Sequence, residues 1–552
     1  MAGSRTGAGA GAPSDIGVVV AASSAGTAFE WYDFFVFVPL ATIISKTFFA
    51  GMNDAAAYVF ALGSFAAGFA FRPVGALIFG RVGDRSGRKG AFLITVIMMG
   101  SATFCIGLLP TYAQAGLISP SLFILLRIIQ GIALGGEWGG AAIYIAEHSP
   151  PHRRGFFTSW IGAAAAFGLG GALIVTLVTR VVVGEATFNA WGWRIPFLAS
   201  AVLLAVSVWF RLKLSESPVF QKMHAEGRRS TRPYADAFLE PANLRRVLLA
   251  LFAVMVAQGT VWYTTFFYAQ FFIEKILKVA PDTVNAIMIA LVALSAPLYV
   301  VFGALSDRIG RKAVMVGGMI LFTAALWPGF HLVTRAANPA LAAAARRAPV
   351  TVTADPAQCS LQFDPVGKAQ FRTACDILKS ALTNAGVPYR NLPARSGGAV
   401  TAQIGQETVA SVDGRTLSPT ALKAARASVS TRVAAALAKA GYPLHTDPAH
   451  TDAPLILIVL LVFAAGATAL YGPQAACLVE LFPSRVRYTA LSLPYHIGTG
   501  WVGGFLPATA YAMVAASGDS YFGLWYPILG TLLSIVVALL FLPETRGRDL
   551  NL

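Results

Sequence analysis

Five charged residues lie inside long apolar segments of this 552-residue chain. They are the acids Glu30, Asp33 and Glu137 and the arginines Arg72 and Arg127. An ionised side chain at the centre of a bilayer costs about 2.5 to 3.5 kcal/mol on insertion scales, so such a residue usually faces a wet cavity or a partner. These residue types, at these positions, predict sites that bind protons and an anion.

The acids are suited to carrying protons. Glu30 and Asp33 stand three residues apart, on neighbouring positions of one helical face. Burial favours the neutral form of a carboxyl, which can load a proton on one side and release it on the other. Asp33 is the first candidate and Glu137 the second, although the glycines around Glu137 could equally serve helix packing. His496 titrates in a suitable range, but a lone histidine is more often structural.

The two arginines suit an anionic substrate. Arg72 precedes Asp84 by twelve residues, which at the helical rise is about 18 Å from that end of its helix and therefore mid-membrane. A guanidinium there, or at Arg127 in another segment, can hold a carboxylate in a forked pair of hydrogen bonds. The alternative is that both arginines pair with the buried acids and hold helices together.

An aromatic and amide-bearing stretch could also line a substrate cavity. The stretch has the sequence GTVWYTTFFYAQFF and is directly preceded by Gln258. Its candidate residues are Gln258, Trp262, Tyr263 and Tyr268. The alternative for this stretch is packing or an interfacial aromatic belt.

A ten-residue motif occurs twice, as GRVGDRSGRK at 80–89 and as GALSDRIGRK at 303–312. Each copy closes an apolar segment, so the chain consists of two homologous halves, an arrangement typical of transporters. The acid and arginines of each copy can brace helix ends and pair with a glutamate, which would hold an inner gate shut. The gating candidates are Asp84, Arg85, Arg88, Glu147, Asp307, Arg308, Arg311, Glu480 and Arg487.

Composition indicates a membrane protein. The chain is 56% hydrophobic and only 12% charged, whereas soluble domains carry about 25% charged residues. Apolar runs of about 20 residues can cross a bilayer as helices, which predicts an all-α polytopic protein with twelve spans in two six-helix bundles. The predicted spans are 17–42, 55–80, 90–112, 121–146, 156–183, 194–212, 246–276, 283–305, 313–334, 454–479, 487–515 and 523–542.

The formal net charge of +16 would suggest nucleic acid binding in a soluble protein. Here the basic residues cluster in the short loops after every second span, so they predict topology instead. The positive-inside rule places these loops and both termini in the cytoplasm. The polar N-terminal stretch, followed by a span with two acids, does not resemble a cleavable signal peptide.

A polar insert of more than a hundred residues lies between spans 9 and 10, outside the cytoplasm in this topology. Strand-like and helix-like stretches within it predict a small α+β domain. It holds Cys359 and Cys375, and in that compartment we expect them to form a disulfide. The alternative is two free thiols in a loosely ordered loop. The insert could also recruit a periplasmic partner.

These features divide the chain into seven parts. They are a cytoplasmic tail (1–16), an N-terminal six-helix bundle (17–212), a cytoplasmic linker (213–245), helices 7–9 of the C-terminal bundle (246–334), the periplasmic insert (335–452), helices 10–12 of the C-terminal bundle (453–542) and a second cytoplasmic tail (543–552).

The repeated motif resembles the signature of the major facilitator superfamily. Five further segments resemble the metabolite:proton symporter family, which includes α-ketoglutarate, citrate, shikimate and proline/betaine transporters. The segments are EWYDF at 30–34, FRPVGALIFG at 71–80, LLRIIQGIALGGEWGGA at 125–141, WGWRIPF at 191–197 and VELFPSRVRYTALSLPYHIG at 479–498. The resemblance covers nearly all of the chain except the insert, and it implies a bacterial inner-membrane protein with uptake driven by proton entry.

We therefore expect a proton-coupled importer of a small organic acid or zwitterion that works by alternating access, with its site near mid-membrane. The sequence has no nucleotide-binding loop and no metal-spaced His/Cys cluster, so we expect neither cofactor nor metal nor enzymatic activity. The expected partners are the solute, protons and the lipid bilayer, without nucleic acid, and the expected state is a monomer. The alternatives are a proton-antiporting exporter of an organic acid and a transporter-like sensor that acts through the insert.

Overall fold

The computed structural model describes residues 16–49, 54–213, 216–362, 371–395, 397–443, 446 and 450–550. The predicted N-terminal tail, except Ile16, lies outside this part of the chain. So do residues 363–370 of the insert and short stretches of the linker, the insert and the C-terminal tail.

Long apolar helices make up most of the structure. In a bilayer each backbone group needs an internal hydrogen bond, and a helix supplies it within one segment. In chain order the main helices are α1 (Ile16–Phe35), α2 (Asp54–Ser86), α3 (Arg88–Leu108), α4 (Ile118–His148), α5 (Arg154–Val183), α6 (Arg194–Lys213), α7 (Pro241–Ile276), α8 (Pro281–Ile309), α9 (Arg311–Ala337), α10 (Ala374–Asn384), α11 (Pro419–Lys439), α12 (Ala453–Leu481), α13 (Arg487–His496), α14 (Leu506–Ser517) and α15 (Trp525–Phe541).

Within the described residues, nine helices are long and apolar enough to cross a membrane. They correspond to nine of the predicted spans, so the chain is a multi-pass membrane protein. Helices are also present at the other three predicted spans, as α1, α2 and the α13–α14 pair, but these do not meet the same length and composition test. The count of twelve spans therefore stays a prediction.

Two helices contain π-helical turns. In α7 they occur at Leu251–Met255, Thr264–Tyr268 and Phe272–Ile276, and α13 passes into one at Ile497–Gly503. The predicted span 487–515 is therefore divided into two helices. Turns of this kind are frequent at functional sites.

The insert contains a four-stranded sheet. Its strands are β1 (Val350–Ala354), β2 (Tyr389–Pro393), β3 (Thr401–Ile404) and β4 (Glu407–Ala410), in the order β2-β1-β3-β4. β2 runs parallel to β1, and the other two pairs are antiparallel. The sequence did not predict β2, because Arg390, Asn391 and Pro393 are typical of a loop; pairing along an edge makes this segment a strand. The predicted fold class, a helical membrane protein with a small α+β insert, is confirmed.

The insert is attached to the C-terminal half at two helix ends. A disulfide between Cys359 and Cys375 first ties the segment after β1 to α10. The first attachment is the backbone N–H of Tyr389, which donates to Gly518 O at 2.9 Å, just beyond the end of α14. We call the end of the helices that carries the insert the insert end, and the end with Asp84 and Asp307 the motif end.

The second attachment is at the end of α7. Gly386 of the insert has φ +74° and lies so close that a Cβ there would be 2.1 Å from Ile276 O. The Thr446 hydroxyl donates to Lys278 O at 2.7 Å, and the Asn338 amide donates to Leu277 O at 3.0 Å. The insert therefore contacts the ends of α7 and α14 directly.

Candidate functional site

Arg72 lies in the interior of the helical region and is 1% exposed. The centre of its guanidinium is 5.3 Å from the Phe69 ring centroid and 6.0 Å from that of Trp31. Among the described residues, no carboxylate lies within ion-pairing distance of Arg72, and its Nε and Nη1 have no hydrogen-bond partner. Tyr263 and His496 of the second half lie close enough to Arg72 to interact with its charge. Arg72 is therefore a buried cation whose neighbours are mainly aromatic.

A chain of aromatic side chains joins the two halves next to this arginine. Trp262 Nε1 donates to Tyr299 Oη at 2.9 Å, and the Tyr299 ring meets the Tyr471 ring edge-on with 5.4 Å between centroids. The hydroxyls of Tyr471 and Tyr495 are 3.1 Å apart. Tyr495 in turn stacks on Trp138 of the N-terminal half at 3.7 Å.

The other predicted substrate residues lie in different surroundings. Gln258 is buried one turn before Trp262, and its Oε1 has no hydrogen-bond partner in the described part of the chain. Tyr268 packs inside the C-terminal half, 5.9 Å from the Phe330 ring. Arg127 Nη1 donates to Gln130 Oε1 at 2.7 Å. The structure thus groups Tyr263 with Arg72, whereas Tyr268 packs inside the C-terminal half and Arg127 bonds to Gln130.

Asp33 is buried and bonded to a residue that the sequence did not single out. Ser200 Oγ lies 2.5 Å from Asp33 Oδ1, and the carboxyl is 4% exposed. No arginine or lysine of the described residues lies within ion-pairing distance of it. This is an environment in which a neutral, protonated carboxyl is favoured over a carboxylate.

Glu30 and Glu137 share one cation that the sequence analysis missed. Arg211 Nη2 lies 3.0 Å from Glu30 Oε1 and 3.4 Å from Glu137 Oε1, and the three side chains are at most 3% exposed. Arg211 stands at the end of the predicted sixth span, where it resembled one more basic loop residue. Glu30 and Glu137 thus pair with an arginine of α6. They do not pair with Arg72 or Arg127, which the sequence analysis offered as alternative partners.

The first motif copy closes the motif end against α13. Asp84 accepts hydrogen bonds from the backbone N–H groups of Tyr488 and Thr489, at 3.1 and 2.8 Å. Arg88 lies 3.4 Å from Asp84 and donates to Ser484 O at 2.9 Å. A carboxylate at a helix N-terminus satisfies free backbone donors and interacts favourably with the helix dipole.

Glu147 extends this first network. Arg487 Nη1 lies 2.7 Å from Glu147 Oε1, and Arg88 Nη2 lies 3.7 Å from the same atom. Arg487 also donates to Leu550 O at 2.9 Å. Four of the predicted gating residues thus meet in one buried group that joins the two halves.

The second motif copy repeats this arrangement with the halves exchanged. Asp307 accepts from the backbone N–H groups of Gly155 and Phe156, at the start of α5, at 2.9 and 2.7 Å. Arg311 lies 2.6 Å from Asp307 and 3.4 Å from Glu480. Arg154 pairs with Glu480 at 2.8 Å, in the place that Arg487 takes in the first network.

Two further glutamates complete the motif turns. Glu216 accepts from the backbone N–H groups of Arg88 and Lys89 at the start of α3, and Glu544 does the same for Arg311 and Lys312 at the start of α9. Each lies three residues past the last helix of its half, a regularity that a comparison of the two halves could have shown.

A glycine in each motif turn allows the capping glutamate to lie close to the backbone. Gly87 and Gly310 have φ of +115° and +107°, and a Cβ at either would lie 2.4 to 2.5 Å from the capping glutamate. The Arg85 and Arg308 side chains, also predicted to gate, are exposed and lie outside both networks. His496 is buried near Arg72.

The chain matches the sequence profile of the sugar (and other) transporter family over residues 18–237 and 428–552. It also matches a profile described as MFS/sugar transport protein over residues 143–373. The first of these matches covers more than half of the chain.

Relatives among characterised proteins are transporters of small metabolites. The proline/betaine transporter of Salmonella typhimurium strain LT2 is 36% identical over 57% of this chain and 64% of its own length. The shikimate transporter of Escherichia coli K12 is 34% identical over 56% of this chain and 70% of its own length. The chain thus spans a little under two thirds of the length of the proline/betaine transporter.

Solved structures share the fold at low sequence identity. The major facilitator superfamily proton:xylose symporter XylE, bound to 6-bromo-6-deoxy-D-glucose, aligns with a TM-score of 0.62 and 16% identity, over 97% of this chain and 98% of that one. A double tryptophan mutant of XylE aligns with a TM-score of 0.64 and 17% identity over the same shares. The chain therefore belongs to the sugar (and other) transporter family of the major facilitator superfamily, which consists of transporters and not of enzymes.

Proposed function

We propose that the protein is a proton-coupled symporter that imports a small metabolite bearing a carboxylate. The observation that carries this proposal is Arg72, a buried guanidinium with free donors and no carboxylate partner in the described chain. A buried cation without a counter-ion is unfavourable, so the site gains most when the solute supplies the anion. The unpartnered N–H groups on Nε and Nη1 are charged donors that a solute carboxylate can accept from.

The rings around Arg72 favour a zwitterion over a simple acid. Trp31 and Phe69 present aromatic faces near the guanidinium, and Tyr263 packs edge-on against Phe69; aromatic cages recognise quaternary ammonium groups. A solute with its carboxylate on Arg72 and its cationic head against the rings would use both features. Proline/betaine transporters among the relatives make betaines and proline the first solutes to test, and a plain organic acid such as shikimate the second.

Coupling to protons is assigned to Asp33 in this proposal. Its carboxyl is buried without a cation, and Ser200 is its hydrogen-bond partner. A carboxyl in this environment holds a proton until water or a cation reaches it. The two ion networks at the motif end would keep that end shut while solute and proton enter from the other side.

Orientation follows from the basic loops. The motif end would face the cytoplasm of a bacterial cell, with both termini, and the insert would lie in the periplasm. The functional unit would be a monomer with its path between the two halves.

Uptake into proteoliposomes tests this function. Protein is reconstituted with an acidic exterior, and radiolabelled glycine betaine, proline and shikimate are offered in turn. We expect accumulation of at least one of them above equilibrium, which a protonophore abolishes. Solute and proton fluxes in opposite directions would instead show an antiporting exporter. Binding of solute to the purified insert alone, without flux in any condition, would favour the sensor alternative.

A further inference from the structure

One guanidinium serves two carboxylates in the N-terminal half. Arg211 of α6 bridges Glu30 of α1 and Glu137 of α4, with all three side chains buried. In the part of the chain that the structure describes, neither glutamate has another cation within ion-pairing distance. With both acids ionised, the group would carry a net charge of −1 away from water, which is strongly unfavourable.

The position of Arg211 is fixed by its surroundings. Its guanidinium centre lies 3.7 Å from the Phe92 ring centroid. At Gly26 of α1 a Cβ would lie only 2.6 Å from Nη2, so that position has room for a hydrogen atom only. The other oxygen of Glu30, Oε2, is buried and has no hydrogen-bond partner among the described residues. An acceptor without a donor in such a place is where a proton is bound most favourably.

We propose that Glu30, Glu137 and Arg211 form a second proton site, separate from Asp33, in which the two carboxylates share one proton. Arg211 is the positioning residue: its single charge neutralises one glutamate and leaves the other to take the proton. On loading, water gives a proton to a carboxylate oxygen, and the group becomes one neutral carboxyl and one ion pair. On release the proton returns to water, and the group regains its charge of −1.

The charged and titratable groups that face this site come from several helices. Asp33 lies next to Glu30 on α1, and Tyr488 approaches Glu30 and Arg211 from α13. Asp84 and Arg88 lie behind Tyr488 in the motif-end network. α3 contributes the apolar ring of Phe92.

Contacts with α13 connect the site to the gate. The Tyr488 hydroxyl donates to Gly136 O, the residue before Glu137, and a Cβ at Gly140 would lie 2.5 Å from that hydroxyl. The backbone N–H of the same tyrosine donates to Asp84. α13 therefore covers the site on its motif-end side, and its departure on opening would admit water and release the shared proton. This last step rests on the proposed transport function.

Infrared spectroscopy of the full-length protein in lipid tests the site without any solute. The signal is the carbonyl stretch of protonated carboxyl groups near neutral pH, counted per chain. We expect Glu137→Gln to lower the count by one, because Glu30 and Arg211 then form a neutral pair that needs no proton. Adding Arg211→Gln to Glu137→Gln should restore the count, because Glu30 then stands without a cation and holds a proton again.

A merely structural role for Arg211 would not produce this loss and recovery. The matched control is Arg180→Gln, which removes a half-exposed arginine 3.4 Å from Glu185, away from the three buried residues, and should leave the count unchanged. If Glu137→Gln does not fold, Glu30→Gln and its double variant with Arg211→Gln give the same test. A wild-type count in the single variants, or no recovery in the double variant, would overturn the proposal.

Because no solute is present, failure of this test leaves the proposed function intact. Absence of uptake by the wild-type protein would, conversely, leave the infrared result unaffected. Asp33→Asn should remove a separate carboxyl signal, which distinguishes the two proton sites.

Discussion

Three buried arginines, Arg72, Arg127 and Arg211, differ in their partners, and this difference separates their roles. Arg211 has two carboxylates, Arg127 has the amide oxygen of Gln130, and Arg72 has aromatic faces. The sequence identified Arg72 and Arg127 because they interrupt apolar runs. It could not identify Arg211, because a basic residue at the end of a span looks the same whether it turns outward to a loop or inward to two acids.

Removal of the Arg72 charge should weaken solute binding without unfolding the protein. For Arg72→Ala we expect a loss of about 1.5 to 3 kcal/mol in binding of glycine betaine or another transported carboxylate, the range for a hydrogen bond to a charged group. Arg127→Ala should have a smaller effect, because Arg127 bonds to Gln130. Binding to purified protein, followed by intrinsic fluorescence, measures both, with Arg180→Ala as the surface control. Affinity within twofold of wild type in both variants would contradict the anion-binding role.

Substitution of Asp33, the proposed proton carrier, should abolish proton-driven accumulation of solute but leave its passive exchange intact. Asp33→Asn keeps the bond to Ser200 but cannot change charge, so we expect exchange of solute across the membrane to persist while uphill accumulation is lost. Ser200→Ala is the comparison, since it removes the 2.5 Å hydrogen bond and leaves the carboxyl in place. Accumulation at the wild-type level in Asp33→Asn vesicles would exclude Asp33 from the mechanism.

At the scale of elements, the motif end is closed by helix N-termini whose backbone N–H groups donate hydrogen bonds to carboxylates of the opposite half. Asp84 caps α13, and Asp307 caps the start of α5. The sequence pointed to the residues of these networks, as a predicted gate, because the motif is local and occurs twice. It missed Glu216 and Glu544, since each lies more than a hundred residues from the turn it caps. Strand β2 was missed for a different reason: Arg390, Asn391 and Pro393 are residue types typical of a loop.

Neutralising one cap should favour the state that is open at the motif end. Asp307→Asn weakens two charge-assisted hydrogen bonds to α5, at a cost of about 1.5 to 3 kcal/mol to the closed state. Cys477 is 1% exposed and lies three residues before Glu480 on α12, so its alkylation reports opening. We expect the alkylation rate to rise by roughly tenfold or more in a Cys105→Ser background. An unchanged rate, with Arg308→Gln as the exposed control in the same motif copy, would mean that this network does not hold the gate.

At the scale of the whole molecule, the insert is attached where two membrane helices end. The last carbonyl groups of α14 accept hydrogen bonds from insert side chains: Tyr389 bonds Ala515 O, Lys379 bonds Ala516 O at 3.2 Å, and Asn391 bonds Ser517 O at 2.8 Å. Partial burial lowers the pKa of Lys379 below its usual value. Free carbonyls at a helix end need partners of this kind.

The length and polarity of the insert, and its strands β1, β3 and β4, were visible in the sequence. Its docking was not, since Tyr389, Lys379 and Asn391 have no special pattern and gain a role only when α14 comes within reach. The nine membrane-spanning helices of the described chain, in contrast, were predicted from apolar length. The length of the apolar runs therefore predicts which segments enter the bilayer, whereas contacts between distant polar residues decide how the added domain sits on them.

Replacement of the insert should leave a transporter that is less stable and has altered affinity. With residues 345–448 exchanged for a Gly/Ser linker long enough to span the gap, the end of α14 loses several hydrogen bonds. At about 0.5 to 1.5 kcal/mol each, their loss should lower the thermal midpoint of the purified protein. Asn391→Ala combined with Lys379→Ala is the matched variant, because it removes two caps and keeps the domain.

If capping is the only contribution of the insert, the matched variant should reproduce part of the drop in midpoint with wild-type affinity for glycine betaine. An altered apparent affinity in the replacement variant alone would show that the domain also restricts entry at the insert end. Cys359 and Cys375 should resist alkylation in the intact protein until a reductant is added, which verifies that the domain is folded during these measurements. A replacement variant that reaches the membrane folded but binds no solute would mean that the insert forms part of the binding site, contrary to the proposed mid-membrane site at Arg72.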